Sequence, residues 1–458
     1  MYNYAFKKLV HSLIVLLSVI SAVYLFQSYS VIDPVDDFMS SSFGERPVHK
    51  KDFEKAYTKE AIRQNKHLPK FYFDIIPSYF PDTLHKIILH DERSFLTQAI
   101  RYSKCIECST DFIQRQKGLQ DVGALDSLVN IETKSILSKI SREKDLNKLA
   151  YLFSSLKTGN IHDIPAINEL IESFEKLSQV KNSFTFPKLV IHGFKNQFHL
   201  FVTGIFTGKM GISKADGRTA NSKIIKALKW TLSLNVISFI IAGGLGLFLG
   251  LWSIKNDDSK KEKYASSAMF FVYTMPVFWT ATLMVVFFTT DRYGAWTNIF
   301  PSTGIKYWYA DKSVSEQILL NFSQLTLPII CIILPSLAYM SRIMKSKFSE
   351  VLSSDFITAL KAKGISQKRM YNKHVLKNGM IPYITILTGS LPGLFAGSLV
   401  IEIIFSIPGI GKLLFDSIYI SDWNVISGLV IMMSLVTILA YFLADILYSW
   451  VNPKIALE

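Results

Sequence analysis

The chain has 458 residues, of which 49% are apolar and 19% charged, with a formal net charge of +14. Its apolar residues gather into runs of roughly the 20 residues that a bilayer requires, which excludes a disordered chain and favours membrane spans over a soluble core. The excess Lys and Arg lie between those runs, so membrane orientation explains the charge and nucleic-acid binding is not needed to account for it.

The first apolar run, residues 9–26, follows Lys7 and Lys8. No small-x-small cleavage site comes after it, so residues 1–28 are expected to be an uncleaved transmembrane helix rather than a removed signal peptide. Residues 29–226 then form a stretch long enough for a folded domain. Residues 32–81, rich in Pro, Ser and charge, show no readable element. Residues 136–156 carry a weak helical pattern. Farther on, Asp163 can cap a helix entered at Pro165, and Ile167, Leu170, Ile171, Phe174 and Leu177 follow at helical spacing. Cys105 and Cys108 can form a disulfide if this domain faces an oxidising compartment. A zinc site with His85 and His90, or two free thiols, are the other readings. Cys331 lies in a span and reads as packing.

Residues 227–458 hold five further apolar runs, at about 231–252, 265–289, 325–340 with flanks, 381–405 and 425–450. Six spans place both termini on one side. Residues 342–377 carry nine Lys or Arg against two acids, and residues 255–263 carry four Lys. The alternating loops 291–321 and 406–424 are poor in both. The positive-inside rule then makes the termini and the two basic loops cytoplasmic. The expected fold is an all-α polytopic membrane protein: six transmembrane helices with a large, mainly helical extracytoplasmic insertion between helices 1 and 2.

Several residues within the runs invite a role. Gly389, Gly393 and Gly397 recur at four-residue spacing, and so do Gly246 and Gly250, giving faces on which another helix can approach closely. Such a face serves either an interface between subunits or packing within one bundle. Pro276, Pro328, Pro335 and Pro392 remove backbone bonds and act as hinges or static kinks. Glu402 and Asp445 are carboxylates at membrane depth, where charge is costly. Glu402 is expected to reach the outer interface or to contact substrate, and Asp445 to pair with a cytoplasmic Lys or to contact substrate.

Residues 355–382 are the most distinctive. They are polar and basic, yet flanked by apolar runs. Asp355 can cap a short helix bearing Phe356, Ala359, Leu360 and Lys363, and Gly364 can end it with a positive φ. A second basic helical stretch, residues 367–378, leads to Ile381 and Pro382. On physical grounds this is either a docking element for a cytoplasmic partner or an amphipathic helix resting on lipid headgroups.

The run Asp355-Phe356-Ile357-Thr358-Ala359-Leu360-Lys361-Ala362-Lys363-Gly364, with His374, Lys377-Asn378 and Ile381-Pro382, resembles the EAA loop of bacterial ABC importer permeases. The similarity is greatest to the dipeptide, oligopeptide and nickel branch. Glu402, Phe405, Pro408, Gly409 and Gly411 resemble that branch's Glu-x-x-Phe-x-x-Pro-Gly-x-Gly signature. Asp445, Tyr448 and Asn452-Pro453 resemble its C-terminus, and Gly208-Lys209-Met210-Gly211-Ile212-Ser213 its Gly-Asp-Leu-Gly-x-Ser segment. The matches come in family order and cover about residues 200–458 and the first span. The insertion departs from the family, as do Thr358-Ala359-Leu360 in place of Glu-Ala-Ala and Lys209 in place of Asp.

The resemblance implies a permease subunit of an ATP-driven importer for peptides. Its coupling loop at residues 342–380 would present Asp355, Phe356, Ala359, Leu360, Lys363 and Gly364 to a separate cytoplasmic ATPase. Gly389, Gly393, Gly397 and Glu402 would belong to helix packing or the translocation path. Implied partners are a second homologous permease, ATPase subunits, an extracytoplasmic substrate-binding protein and the bilayer of the inner membrane. ATP and Mg would bind the partner ATPase, since the sequence holds no Gly-x4-Gly-Lys-Ser/Thr loop. No cofactor, metal or catalytic set is expected on this chain. The alternatives are a nickel or other small-solute importer, and a membrane-anchored interaction protein acting through its outer domain.

Overall fold

The computed structural model describes residues 2–28, 35, 39, 50–119, 131–157, 165–179, 186–306, 312–394 and 398–451. Asp163, Gly397 and Asn452-Pro453, singled out above, lie outside the described residues. The chain divides into two units, one of residues 28–203 and one of residues 1–27 with 204–458.

The unit of residues 28–203 is mostly helical. Helix α1 (Tyr2–Ser28) ends where this unit begins, and the unit's described helices include α2 (Lys50–Arg63), α3 (His90–Ser103), α4 (Ile106–Gly118), α5 (Ile131–Ile140), α6 (Leu146–Lys157) and α7 (Pro165–Ser178). Helix α7 begins at the expected proline and buries Ile167, Leu170, Phe174 and Leu177. These pack with Phe112 and Phe153 from α4 and α6 into one core. The weak pattern over residues 136–156 proves to be two helices, α5 and α6, separated by residues 141–145. Strands β1 (Phe73–Pro77) and β2 (Pro187–Ile191) pair antiparallel, with Phe73 opposite Ile191. Helix α8 (Gln197–Phe206) follows β2.

In the other unit, four helical segments among the described residues are long and apolar enough to cross a membrane. They are Val10–Ser28 within α1, α9 (Ala220–Lys255), α13 (Phe322–Leu352) and Trp423–Leu447 within α18 (Trp423–Val451). The run at residues 265–289 is not one straight helix. It splits into α10 (Lys260–Thr274) and α11 (Val277–Phe288), bent by 102°. The cause is local: Pro276 lacks an N–H and disfavours helical backbone at Met275, which is extended at φ −71° and ψ 128°. Counted as one span, this pair makes a fifth. After α12 (Val314–Leu320), α13 carries Pro328 and Pro335 without breaking.

The run at residues 381–405 is also divided. Beyond α14 (Asp355–Ala362), α15 (Leu376–Ser390) passes into a 3-10 turn, Leu391–Leu394, that holds Pro392, and the chain is helical again in α16 (Leu399–Ile404). Helix α17 (Ile410–Tyr419) then precedes α18.

Helices α9 and α13 pack closely along their length. A Cβ added at Gly246 would stand 2.6 Å from Met340 Cγ, and one at Gly250 would stand 2.6 Å from Met344 Cβ. These two glycines therefore serve packing inside the bundle, where backbone proximity replaces the hydrophobic drive that lipid cannot supply. Near the ends of α1 and α18, Lys8 pairs with Asp445.

Candidate functional site

Helix α13 ends at Leu352, and extended Ser354 (φ −75°, ψ 147°) opens α14. Asp355 thus occupies the first helical position and not the cap, where its carboxylate still faces the positive end of the helix dipole. At the other end Gly364 has φ +74°. Its N–H donates to the Lys361 carbonyl at 2.9 Å, and the Ile365 N–H donates to the Leu360 carbonyl at 3.3 Å. These are the paired bonds of a left-handed helix stop. A Cβ at residue 364 would meet nothing within 4 Å, so the backbone conformation alone asks for glycine.

The two faces of α14 differ. Ile357 is fully buried and Leu360 partly so, in a core with Met344, Phe348, Met370 and Val375. Asp355, Phe356, Ala359, Lys363 and Gly364 are exposed. Phe356 remains 43% exposed, its ring edge-on to His374 at 5.9 Å. Of the six residues the sequence singled out, five thus form an outward surface, and Leu360 belongs to the inner face. The anchor is Ile357, which the sequence reading passed over. Its three-residue spacing from Leu360 was the available signal.

Beyond Gly364, a helical turn (Gln367–Arg369) and a π-helical stretch (Met370–Val375) run directly into α15. Gly379 lies under the Phe348 ring, where an added Cβ would be 2.2 Å from Cε1. Lys255 Nζ donates to Asn372 Oδ1 at 2.6 Å, tying the end of α9 to the π-helical stretch. Side chains of α14 thus pack against α13 and the π-helical stretch, and that stretch runs on into α15.

Glu402 lies within the packed bundle, beside the start of α17. Its side chain is fully buried. Oε1 accepts the Thr231 hydroxyl at 2.8 Å, and Oε2 accepts the Lys412 N–H at 3.1 Å. The Thr231 oxygen in turn accepts the Ile410 N–H at 2.8 Å. Glu402 and Thr231 together cap α17, which places a carboxylate at a helix N-terminus. Added Cβ atoms would lie 2.3 Å from Glu402 Cδ at Gly409 and 2.6 Å from Leu399 Cα at Gly411. The spaced glycines of this signature make room for the carboxylate and for the α16 backbone.

A second buried carboxylate, Asp422, meets the end of the Gly208–Ser213 segment. Asp422 Oδ2 accepts the Ser213 hydroxyl at 2.6 Å and the Lys214 N–H at 2.9 Å. Gly211, at φ +87°, lies against Asn424. By contrast, Gly389 and Gly393 are exposed, and Cβ atoms there would meet nothing within 4 Å among the described residues. Packing among the described residues does not account for them.

In the unit of residues 28–203, Cys105 and Cys108 are disulfide-bonded at the start of α4. His85 stacks edge-on to His192 at 5.5 Å, and His192 Nε2 lies 3.0 Å from Asp74 Oδ2. Burial, then the neighbouring His192, hold the His85 pKa below its ordinary 6.5. Among the described residues, no group of three or more His, Cys, Asp or Glu could hold a metal ion. Cys331 is buried and free, in α13.

Comparison with known proteins matches residues 242–457 to the family described as binding-protein-dependent transport system inner membrane component. The dipeptide transport system permease protein DppB of Lactococcus lactis is 30% identical over 262 residues, covering 57% of this chain and 80% of that protein. The chain belongs to this family. The oligopeptide transport system permease protein OppB of Haemophilus influenzae is likewise 30% identical over 260 residues, covering 57% of this chain and 79% of that protein. A solved chain of the MetNI methionine ABC transporter, in an inward-facing conformation, aligns with 50% of this chain and 96% of its own at 14% identity and a TM-score of 0.39. As a family member, the protein is a mostly helical, multi-pass inner-membrane permease subunit of an ABC import system. Such permeases work with ATPase and substrate-binding proteins.

Proposed function

We propose that this permease is one membrane-spanning half of an ATP-driven importer of peptides, and that α14 is the element through which a cytoplasmic ATPase drives it. The observation that carries this reading is the geometry of α14. One face is locked into the core through Ile357, the other presents Phe356, Ala359 and Lys363 outward, and Gly364 ends the helix sharply. An amphipathic helix that only rested on headgroups would have no need of this keyed connection to α13 and α15. The peptide substrate is favoured by the dipeptide and oligopeptide systems for which the relatives are named.

In this reading six spans place both termini, residues 255–263 and the coupling loop at residues 342–380 in the cytoplasm. The runs at residues 265–289 and 381–405 cross as broken spans. Residues 1–28 form the first span, residues 29–226 an extracytoplasmic insertion domain, and residues 227–458 the permease core. The exposed Gly389 and Gly393 pack against a second, homologous permease. An ATPase subunit binds ATP and Mg, and a substrate-binding protein delivers peptide from outside. The protein itself catalyses no reaction.

The test is uptake of a labelled dipeptide and an oligopeptide by cells expressing the chain with its native partners, paired with recovery of the ATPase on the affinity-tagged chain. Phe356→Ala and Ala359→Arg are expected to reduce both ATPase recovery and uptake while the chain still inserts normally. Undiminished recovery and uptake in both variants would overturn the reading.

A further inference from the structure

Helices α9, α10 and α13 enclose a cavity of about 590 Å³ that the transport reading does not use. Its walls are apolar and aromatic, with Trp252, Met269, Phe270, Tyr273 and Tyr339 among them, and its rim carries Arg342. Phe270, Tyr273 and Tyr339 are each about half exposed, so the cavity opens sideways from the bundle. Its place along the helices is informative. The apolar run of α13 stops at Met340, and Arg342, Lys345 and Lys347 follow within two turns. Tyr and Trp at that level are the side chains that settle at the boundary between hydrocarbon and headgroups.

The two cations near the cavity are not equivalent. Lys345 Nζ is 2.8 Å from the buried Glu262 Oε1 and 3.5 Å from Asp257 Oδ1. Among the described residues Arg342 has no ion pair. Its guanidinium stands over the Phe270 ring, 6.0 Å from the centroid. An unneutralised guanidinium at the polar end of an apolar slot, open to the side, has the charge and shape of a site for an anionic amphiphile. Basic pockets between transmembrane helices bind acidic lipid headgroups for this reason, and guanidinium pairs well with phosphate.

We infer that this cavity holds one anionic glycerophospholipid from the leaflet bordering residues 342–377. Its phosphate sits at Arg342, and an acyl chain lies along Met269, Phe270 and Tyr273. The bound lipid fills the space between α10 and α13 below the bend at Pro276. The site is independent of what the permease carries.

The experiment titrates the purified full-length chain in detergent with dioleoylphosphatidylglycerol or dioleoylphosphatidylcholine and counts retained lipid by native mass spectrometry. One phosphatidylglycerol is expected to be retained about five-fold more tightly than phosphatidylcholine, the effect of one interfacial cation. Arg342→Gln should erase that preference. Ser346→Trp, at an exposed position on the cavity wall, should reduce retention of both lipids. Equal retention of the two lipids by the unmodified chain, or a preference that survives Arg342→Gln, would overturn the proposal. Displacement by glycerol 1-phosphate, which lacks acyl chains, would overturn it in favour of a soluble-anion site. Retention by the isolated chain but not by the assembled transporter would overturn it in favour of a subunit contact.

Discussion

The Thr231 hydroxyl on α9 donates to Glu402 Oε1 at 2.8 Å while its oxygen accepts the Ile410 N–H at the start of α17. One hydroxyl thus links a long membrane helix, a buried carboxylate and the first turn of another helix. Removing it strands two buried polar groups at once. Each buried group left unpaired costs about 1–3 kcal/mol. Thr231→Val is therefore expected to lower the thermal midpoint of the detergent-solubilised chain clearly, whereas Thr231→Ser should leave it nearly unchanged. A Val variant as stable as the original chain would show that the network contributes little.

At Gly364 the conformation, not the space, imposes glycine. Gly364→Ala is expected to cost about 1 kcal/mol of local helix-stop stability. Dipeptide uptake should fall, while membrane abundance of the chain stays level. Uptake equal to that of the original chain at equal abundance would contradict the role proposed for this element.

Gly250 and Gly389 should respond in opposite ways to the same substitution. At Gly250 a methyl group meets Met344 Cβ at 2.6 Å, and overpacking of this kind costs about 1–3 kcal/mol. At Gly389 it meets nothing within 4 Å among the described residues. Gly250→Ala is expected to destabilise the isolated chain. Gly389→Ala should leave the isolated chain intact and weaken recovery of the second permease from the assembled complex, measured by quantitative co-purification.

His85 makes the unit of residues 28–203 sensitive to acid. Its folded pKa is lowered, first by burial and then by the neighbouring His192, with Lys86 and Arg93 adding to the effect. As pH falls through the ordinary value of 6.5, the unfolded chain gains the proton before the folded one. Stability is therefore full above that value and declines below it. Hydrogen exchange of the α3 and β1 amides in the full chain should quicken as pH drops from 7.5 to 5, after correction for intrinsic rates. His85→Gln should flatten that dependence.

Several features were legible in the sequence for identifiable reasons. Apolar length located α9, α13 and α18, because composition alone decides which segments suit a bilayer. Gly364 located the end of α14, because a positive φ at a helix stop favours one residue type. Pro276 was visible, but not the 102° angle at it, because a proline marks where a helix breaks and not the backbone angles that Met275 then adopts. The role of Glu402 was hidden for another reason. Its partner Thr231 is 171 positions away, and no local pattern joins them. That Leu360 and Ile357 face inward was not evident, because an eight-residue helix has too few turns to reveal which stripe is buried.

Phe348 and Gly379 fit as ring and hollow, with no room between them for even one further carbon. Neither position can drift alone. A larger residue at 379 would have to wait for a smaller one at 348, so the two sites should change as a couple across divergent copies of this protein, and a design that alters one should alter the other in the same step.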